Sequence, residues 1–160
     1  MLEVKFYDTI DDALLKFAVI ISRSNGKWVF CRHKGRDTYE VPGGHRESGE
    51  DILETARREL QEETGAVRFD IKPVCVYSVT GKNSVNSTGE ETYGLLCFAE
   101  IMEFSGRLEC EIEKIVLMDK LPEKWTYPLI QPKLIEKYRQ VEKESYKQIG
   151  KVLYTQQKLI

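Results

Sequence analysis

Long hydrophobic runs are missing from this chain. No apolar stretch in its 160 residues approaches the roughly 20 residues of a membrane-spanning helix. The segment from Met1 to Asp8 lacks a basic stretch followed by an apolar core, so no secretory signal is expected and a cytoplasmic location is the default. An excess of one charge is missing too: 24 Lys and Arg face 26 Asp and Glu, for a net charge of −2. Non-specific nucleic-acid binders and polybasic membrane binders are usually basic, so neither class is favoured. Histidine is scarce, limited to His33 and His45. The four cysteines, Cys31, Cys75, Cys97 and Cys110, form no Cys-x-x-Cys pair and sit in apolar or alternating stretches. That pattern predicts reduced core thiols. It argues against zinc, because neither histidine has the customary spacing from a cysteine. Internal repeats and low-complexity segments are absent.

What is present fits one globular domain over residues 1–160. Hydrophobic residues make up 41% and charged residues 31%. A chain of this length buries roughly 70% of its unfolded surface on folding. Phe17–Ser22 and Lys27–Arg32 are strand-like runs joined through Asn25-Gly26, which predicts a hairpin. Tyr39–Val41 is a short extended piece ending in the turn residues Pro42-Gly43-Gly44. A helix is expected from Gly49 or Glu50 to Thr64, capped by Gly65. Strands are expected over 67–80 (bent at Pro73), 91–104 and 112–118, with an Asn- and Ser-rich loop over 81–89. A last helix rich in Lys, Glu and Gln spans about 132–148; the tail from Gly150 is either loose or a further strand. Strands flanking and separating two helices imply an α/β fold, an α/β/α sandwich with a mixed sheet between helices.

The first of these helices carries Glu59, Glu62 and Glu63 within two turns, directly after a glycine-rich turn. Side chains three and four apart are neighbours on a helix, so these like charges repel and weaken it. A divalent cation would offset that cost, and a set of oxygen ligands suits a hard ion such as Mg2+. With about 100° per residue, Leu53, Ala56 and Leu60 form the buried stripe. Glu63 and Glu59 then flank it at the lip of a cleft, with Glu62 and Arg58 further round. Arg58 is four residues from both Glu54 and Glu62 and is expected to brace both. The segment 46–63 holds seven acids (Glu47, Glu50, Asp51, Glu54, Glu59, Glu62, Glu63) against three arginines (Arg46, Arg57, Arg58). A solvated acidic face is the bland alternative; the Pro-Gly-Gly turn and the Arg58-Glu59 step weigh against it.

Gly44, Glu50, Arg58, Glu59, Leu60, Glu62, Glu63 and Gly65 stand at the spacing of the Nudix box, and residues 44–66 resemble that box throughout. Ala66 departs from it, where the family usually has a larger aliphatic residue; Val67 follows. The order of strands and helices on either side is similar to the Nudix fold, of the MutT-like kind. The resemblance implies hydrolysis of a nucleoside diphosphate linked to another moiety, by attack of water on phosphorus. Mg2+, with Mn2+ as a substitute, would neutralise the phosphoryl oxygens. It implies Glu62 and Glu63 as core metal ligands, Glu59 as a further ligand or the base that aligns water, and Glu50 as a contact to the hydrated metal. Arg58 would orient the glutamates, and a backbone carbonyl of Gly43 or Gly44 would complete the coordination. Some members add a glutamate before the last strand; Glu109, Glu111 and Glu113 compete for that role, with Glu111 preferred.

Substrate contacts are less marked. Arg32, His33, Lys34 and Arg36 precede the box; most read as a basic surface loop, with Arg32 the best candidate for a phosphate or base edge. His45, next to Gly44, can reach a phosphate. Tyr39, Phe98, Trp125 and Tyr127 are candidates to stack on a base, Tyr39 and Tyr127 foremost. The resemblance places subfamily markers beyond the box, a proline for ADP-ribose and a tyrosine for dinucleoside polyphosphates. Thr80-Gly81-Lys82 carries neither. Elimination leaves a nucleoside triphosphate, such as an oxidised guanine nucleotide (8-oxo-dGTP), cut to monophosphate and pyrophosphate. The alternatives are a nucleotide sugar, a dinucleoside polyphosphate, a 5′-triphosphate RNA end, or a non-catalytic binding module. An isomerase on this fold is disfavoured because no cysteine lies near the box in sequence. The expected partner is a small nucleotide; no membrane is expected, nucleic acid is not favoured, and the sequence leaves the oligomeric state open.

Overall fold

The computed structural model describes residues 1–108 and 111–159. Cys110, one of the expected core thiols, and Glu109, one of the competing acids, lie outside them. The chain runs β1 (Glu3–Tyr7), a single 3-10 turn (Asp12–Leu14), β2 (Leu15–Ser24), β3 (Lys27–His33), β4 (Gly43–His45), α1 (Ile52–Thr64), β5 (Ala66–Thr80), β6 (Thr92–Phe104), β7 (Ile112–Met118) and α2 (Gln131–Lys158). The strands form one sheet in the order β1-β5-β6-β2-β3-β7, with β4 also paired to β2. The β2–β6 pair is parallel and the other strand pairs are antiparallel, so the sheet is mixed.

The β2–β3 hairpin closes on Asn25 and Gly26, at φ 51° and 76°, the left-handed pair that a tight hairpin turn requires. Beyond the Arg23–Trp28 pair, β3 parts from β2 and runs along β7 instead, while β4 takes its place beside Phe17–Val19 of β2. The sheet is therefore forked between β3 and β4, and α1 lies over that fork. The Pro-Gly-Gly segment expected as a turn is thus partly strand: Gly43–His45 pairs with β2. β1, unassigned from sequence, closes the far edge on β5.

Side chains alternate across the sheet as pleating demands. Ala18, Ile20, Val29, Val76, Leu95 and Cys97 pack with Ile52, Ala56 and Leu60 of α1 on one face. Ile21, Trp28, Phe30, Val41, Tyr77, Val79 and Leu96 pack with Leu134, Ile135 and Tyr138 of α2 on the other. The result is an α/β/α sandwich. Cys31, Cys75 and Cys97 are buried free thiols.

Helix α1 starts at a reciprocal cap: Asp51 accepts from Glu54 N–H (2.9 Å), and Glu54 accepts from Asp51 N–H (3.2 Å). It ends at Gly65, whose φ of 74° is left-handed. Helix α2 continues through Gly150 to Lys158, longer than expected; its buried residues all lie between Gln131 and Tyr138. Among the described residues, no helix is long and apolar enough to cross a membrane.

Candidate active site

The inward stripe of α1 is Ile52, Thr55, Ala56, Leu60 and Thr64; Ala56 and Leu60 lie in it as expected, and the expected Leu53 is half-buried against the same core. Beside this stripe Glu59 meets Gly44 of β4 and Glu63 meets Cys31 of β3, on the two sides of the sheet fork. Both side chains are 12% exposed, against 45% for Glu62. Glu59 lies flat against Gly44, where a Cβ would collide with its carboxylate. Burial first, and then the Glu63 carboxylate, push Glu59 above the usual carboxylate range; burial also raises Glu62.

Arg58 organises this corner. Its Nε donates to Glu50 Oε2 (2.7 Å), one terminal nitrogen donates to Glu59 (2.8 Å) and Glu62 (3.2 Å), and the other to Glu50 Oε1 (3.1 Å) and the His45 carbonyl (3.0 Å). The brace to Glu62 is present. Glu54 is occupied in the helix cap, so Arg58 reaches back to Glu50 instead. Glu50 also accepts from Glu47 N–H (2.9 Å) and the Thr55 hydroxyl (3.0 Å). With the Arg58 bonds as the main cause, its pKa falls to about 2. Its lone pairs are nearly all committed within the protein.

On the β3 side, the Cys31 thiol donates to Glu63 Oε2 (3.4 Å), and His33 Nε2 lies 3.4 Å from the same oxygen. His33 Nε2 is also 3.5 Å from Glu40 Oε1, which Arg36 pairs at 3.3 Å. The hydrogen bond to Glu63 raises the His33 imidazole above its usual pKa. A cysteine therefore does stand beside the box acids, against the sequence expectation. The missed signal is the two-residue step Cys31-x-His33: on a strand both point to one face, here the face that α1 covers. Arg32 points the other way and pairs with Glu113 (2.9 Å).

An apolar cavity of about 180 Å³ adjoins β4 on the α2 side, lined among others by Phe17, Gly44, His45, Tyr77, Tyr127 and Gln131. His45 and Tyr127 of the expected contacts face it. Tyr39 instead bridges to Trp125, Trp125 packs on Phe30 (5.5 Å), and Phe98 stacks on Tyr138 (4.5 Å). Gln131 was not expected; its side-chain oxygen accepts from Val41 N–H (3.0 Å). Glu111 is exposed at the head of β7, its carbonyl accepting from Lys34 N–H (2.9 Å), and its side chain makes no ion pair among the described residues.

The family model for the NUDIX domain matches residues 14–138. The chain belongs to the Nudix family. It is 36% identical over 109 residues to YtkD of Bacillus subtilis (strain 168), provisionally named an 8-oxo-dGTP diphosphatase; the match covers 68% of this chain and 65% of that protein. The chain thus spans just under two thirds of that relative. The pyrophosphohydrolase BsRppH of Bacillus subtilis superposes with a TM-score of 0.69 at 28% identity, covering 87% of this chain and 90% of the other. A Nudix hydrolase from Nitrosomonas europaea superposes with a TM-score of 0.63 at 21% identity, covering 78% and 88%, a likeness of fold. Nudix hydrolases generally use divalent metal ions, and this corner suits one. Glu59 and Glu62 share the Arg58 guanidinium, Glu59 lies beside Glu63, and burial raises both Glu59 and Glu62 above their usual pKa.

Proposed function

We propose that this chain hydrolyses a nucleoside triphosphate to the monophosphate and pyrophosphate, with Mg2+ as the working ion and Mn2+ as a substitute. Water adds at one phosphorus, the bridging P–O bond breaks, and pyrophosphate leaves. The observation that carries this reading is Glu59 of α1 lodged against Gly44, which itself lines the β4 cavity, with Glu62 and Glu63 following on the helix. Glu59, Glu62 and Glu63 would hold Mg2+, which neutralises phosphoryl charge when bound. A backbone carbonyl of Gly43 or Gly44 on β4 would complete the coordination.

Arg58 fixes the angle of Glu59 and Glu62, and Glu50 fixes Arg58; Glu50 is a positioning residue because its hydrogen bonds run to the protein. Glu59, buried and oriented from both sides, is placed to align the attacking water. The apolar cavity takes the base, with Tyr127 along one wall and the Gln131 amide as a polar edge. The YtkD resemblance supports a purine triphosphate, including an oxidised one, and such a substrate fits a cytoplasmic setting. Arg32, Tyr39 and Glu111 take no part in this reading.

A panel of canonical and oxidised triphosphates, nucleotide sugars, dinucleoside polyphosphates and 5′-triphosphate RNA tests it by kcat/KM. A triphosphate ranking first, with pyrophosphate as product, is the expected result. Preference for a nucleotide sugar or an RNA end would overturn the substrate class.

A further inference from the structure

Cys31 Sγ, His33 Nε2 and a Glu63 carboxylate oxygen lie within 4.8 Å of one another. We infer that these three side chains form a second metal site, selective for a thiolate-binding ion such as Zn2+, which shares Glu63 with the acid cluster and makes Zn2+ an inhibitor. The inhibitory part rests on the reading of Glu63 as a ligand of the working ion; the site itself rests on its own geometry.

Ligands about 2.0–2.3 Å from a tetrahedral zinc ion stand about 3.3–3.7 Å from one another. The Cys31–Glu63 and His33–Glu63 contacts are both 3.4 Å. These hydrogen bonds already hold the donor atoms near zinc-ligand spacing, so an ion replaces the shared protons with little movement. On binding, the Cys31 S–H proton goes to solvent, the sulfur bonds the metal, and His33 enters as neutral imidazole. A sulfur and a nitrogen donor favour Zn2+ over Mg2+, which takes oxygen ligands and keeps several waters. Three protein donors leave the fourth position to water.

The pieces are rigid. Cys31 is fully buried in β3, clamped to Glu40 by backbone hydrogen bonds of 2.9 and 3.0 Å, and paired with Ile115 of β7. His33 is partly open, which gives an ion its entry. The Glu40 carboxylate, paired with Arg36 at 3.3 Å, lies 3.5 Å from the same Nε2 and borders the site on the β3 side. An ion here occupies the Glu63 Oε2 lone pairs that a working ion beside Glu59 and Glu62 would need.

Co2+ added to metal-stripped protein serves as the spectroscopic probe for zinc. Wild type is expected to show a thiolate-to-cobalt charge-transfer band with tetrahedral visible bands, bleached by one equivalent of Zn2+. Cys31→Ser should lose the charge-transfer band, and H33Q should weaken Zn2+ binding by about 100-fold or more. In turnover, excess Mg2+ being present, Zn2+ should inhibit wild type at concentrations at least tenfold lower than it inhibits H33Q. His33 is partly exposed, so H33Q keeps the test open should the buried Cys31→Ser fold poorly. No thiolate band in wild type, or equal Zn2+ affinity in H33Q, would overturn the site. Spectra need no turnover: an inactive protein with the thiolate band refutes the enzyme reading alone, and an active one without it refutes the zinc site alone.

Discussion

Arg58 donates to Glu50, Glu59, Glu62 and the carbonyl of His45, joining α1, β4 and the loop between them. A lysine offers one compact ammonium in place of a planar fork and cannot serve these acceptors together. Arg58→Lys is therefore expected to lower kcat by about 10- to 100-fold while circular dichroism stays native; unchanged kcat would show that Arg58 does not set the acids. Gly44→Ala separates chemistry from folding in another way. The new methyl meets the flexible end of Glu59, so the side chain swings away at little cost to the fold. Activity should fall while Tm holds; a large Tm loss with retained specific activity would contradict this placement. Glu50 supplies a pH signature. Its folded pKa of about 2 lies below the usual 4.5, so its contribution to stability is present above pH 4.5 and is lost as pH falls towards 2. Glu50→Gln should flatten the acid loss of Tm across that window, and an unaltered acid limb would refute the pairing.

At the scale of elements, α1 shows how far local signals reach. Its Gly65 stop and the spacing of its acids were legible, because each depends on neighbours within a few residues; the Asp51–Glu54 cap was not read, and the start was placed two or three residues early. Ala56 and Leu60 of its buried stripe were legible too. That Ile52 is buried more deeply than Leu53 was not, because it depends on how the helix docks over the fork between β3 and β4, a tertiary fact. The hairpin at Asn25-Gly26 was legible for the same local reason. β4 was not: Gly43-Gly44-His45 has no strand propensity and pairs only because β3 leaves that edge of β2 free. β1 was missed because β5, its partner, lies over sixty residues on. Cys31 and His33 could be placed on one face by alternation, but the acid they meet comes from α1. At the Gly65 stop, a Cβ would sit 2.6 Å from the Arg107 carbonyl at a left-handed φ. Gly65→Ala is expected to lower Tm by roughly 4–10 °C, read by calorimetry; no change would deny the cap its role.

Across the whole molecule, the sheet separates two tasks. The α1 face carries the acids and the arginine that orders them, and the α2 face carries the apolar cavity. The two meet at β4, where Gly44 touches Glu59 and lines the cavity, and at Glu40, which lines the cavity and lies 3.5 Å from His33. Helix α2 anchors its first turns through Leu134, Ile135 and Tyr138, and further on through Glu142, whose carboxylate pairs with Arg23 (3.1 Å) as that guanidinium lies 4.1 Å above Trp28. Beyond Gly150 the helix buries nothing, so removing residues 151–160 should leave Tm within about 2 °C and kcat unchanged. A larger loss would mean that the helix end is packed in solution. The central claim is that mutually repelling acids persist at the mouth of the cavity because a divalent ion works among them. Turnover of a nucleoside triphosphate against Mg2+ concentration, in wild type and Glu62→Gln, tests it most directly. The account predicts Mg2+-dependent pyrophosphate release that Glu62→Gln lowers by about 100-fold or more at an unchanged Tm. Turnover that ignores Mg2+, or a Glu62→Gln protein as active as wild type, would contradict it.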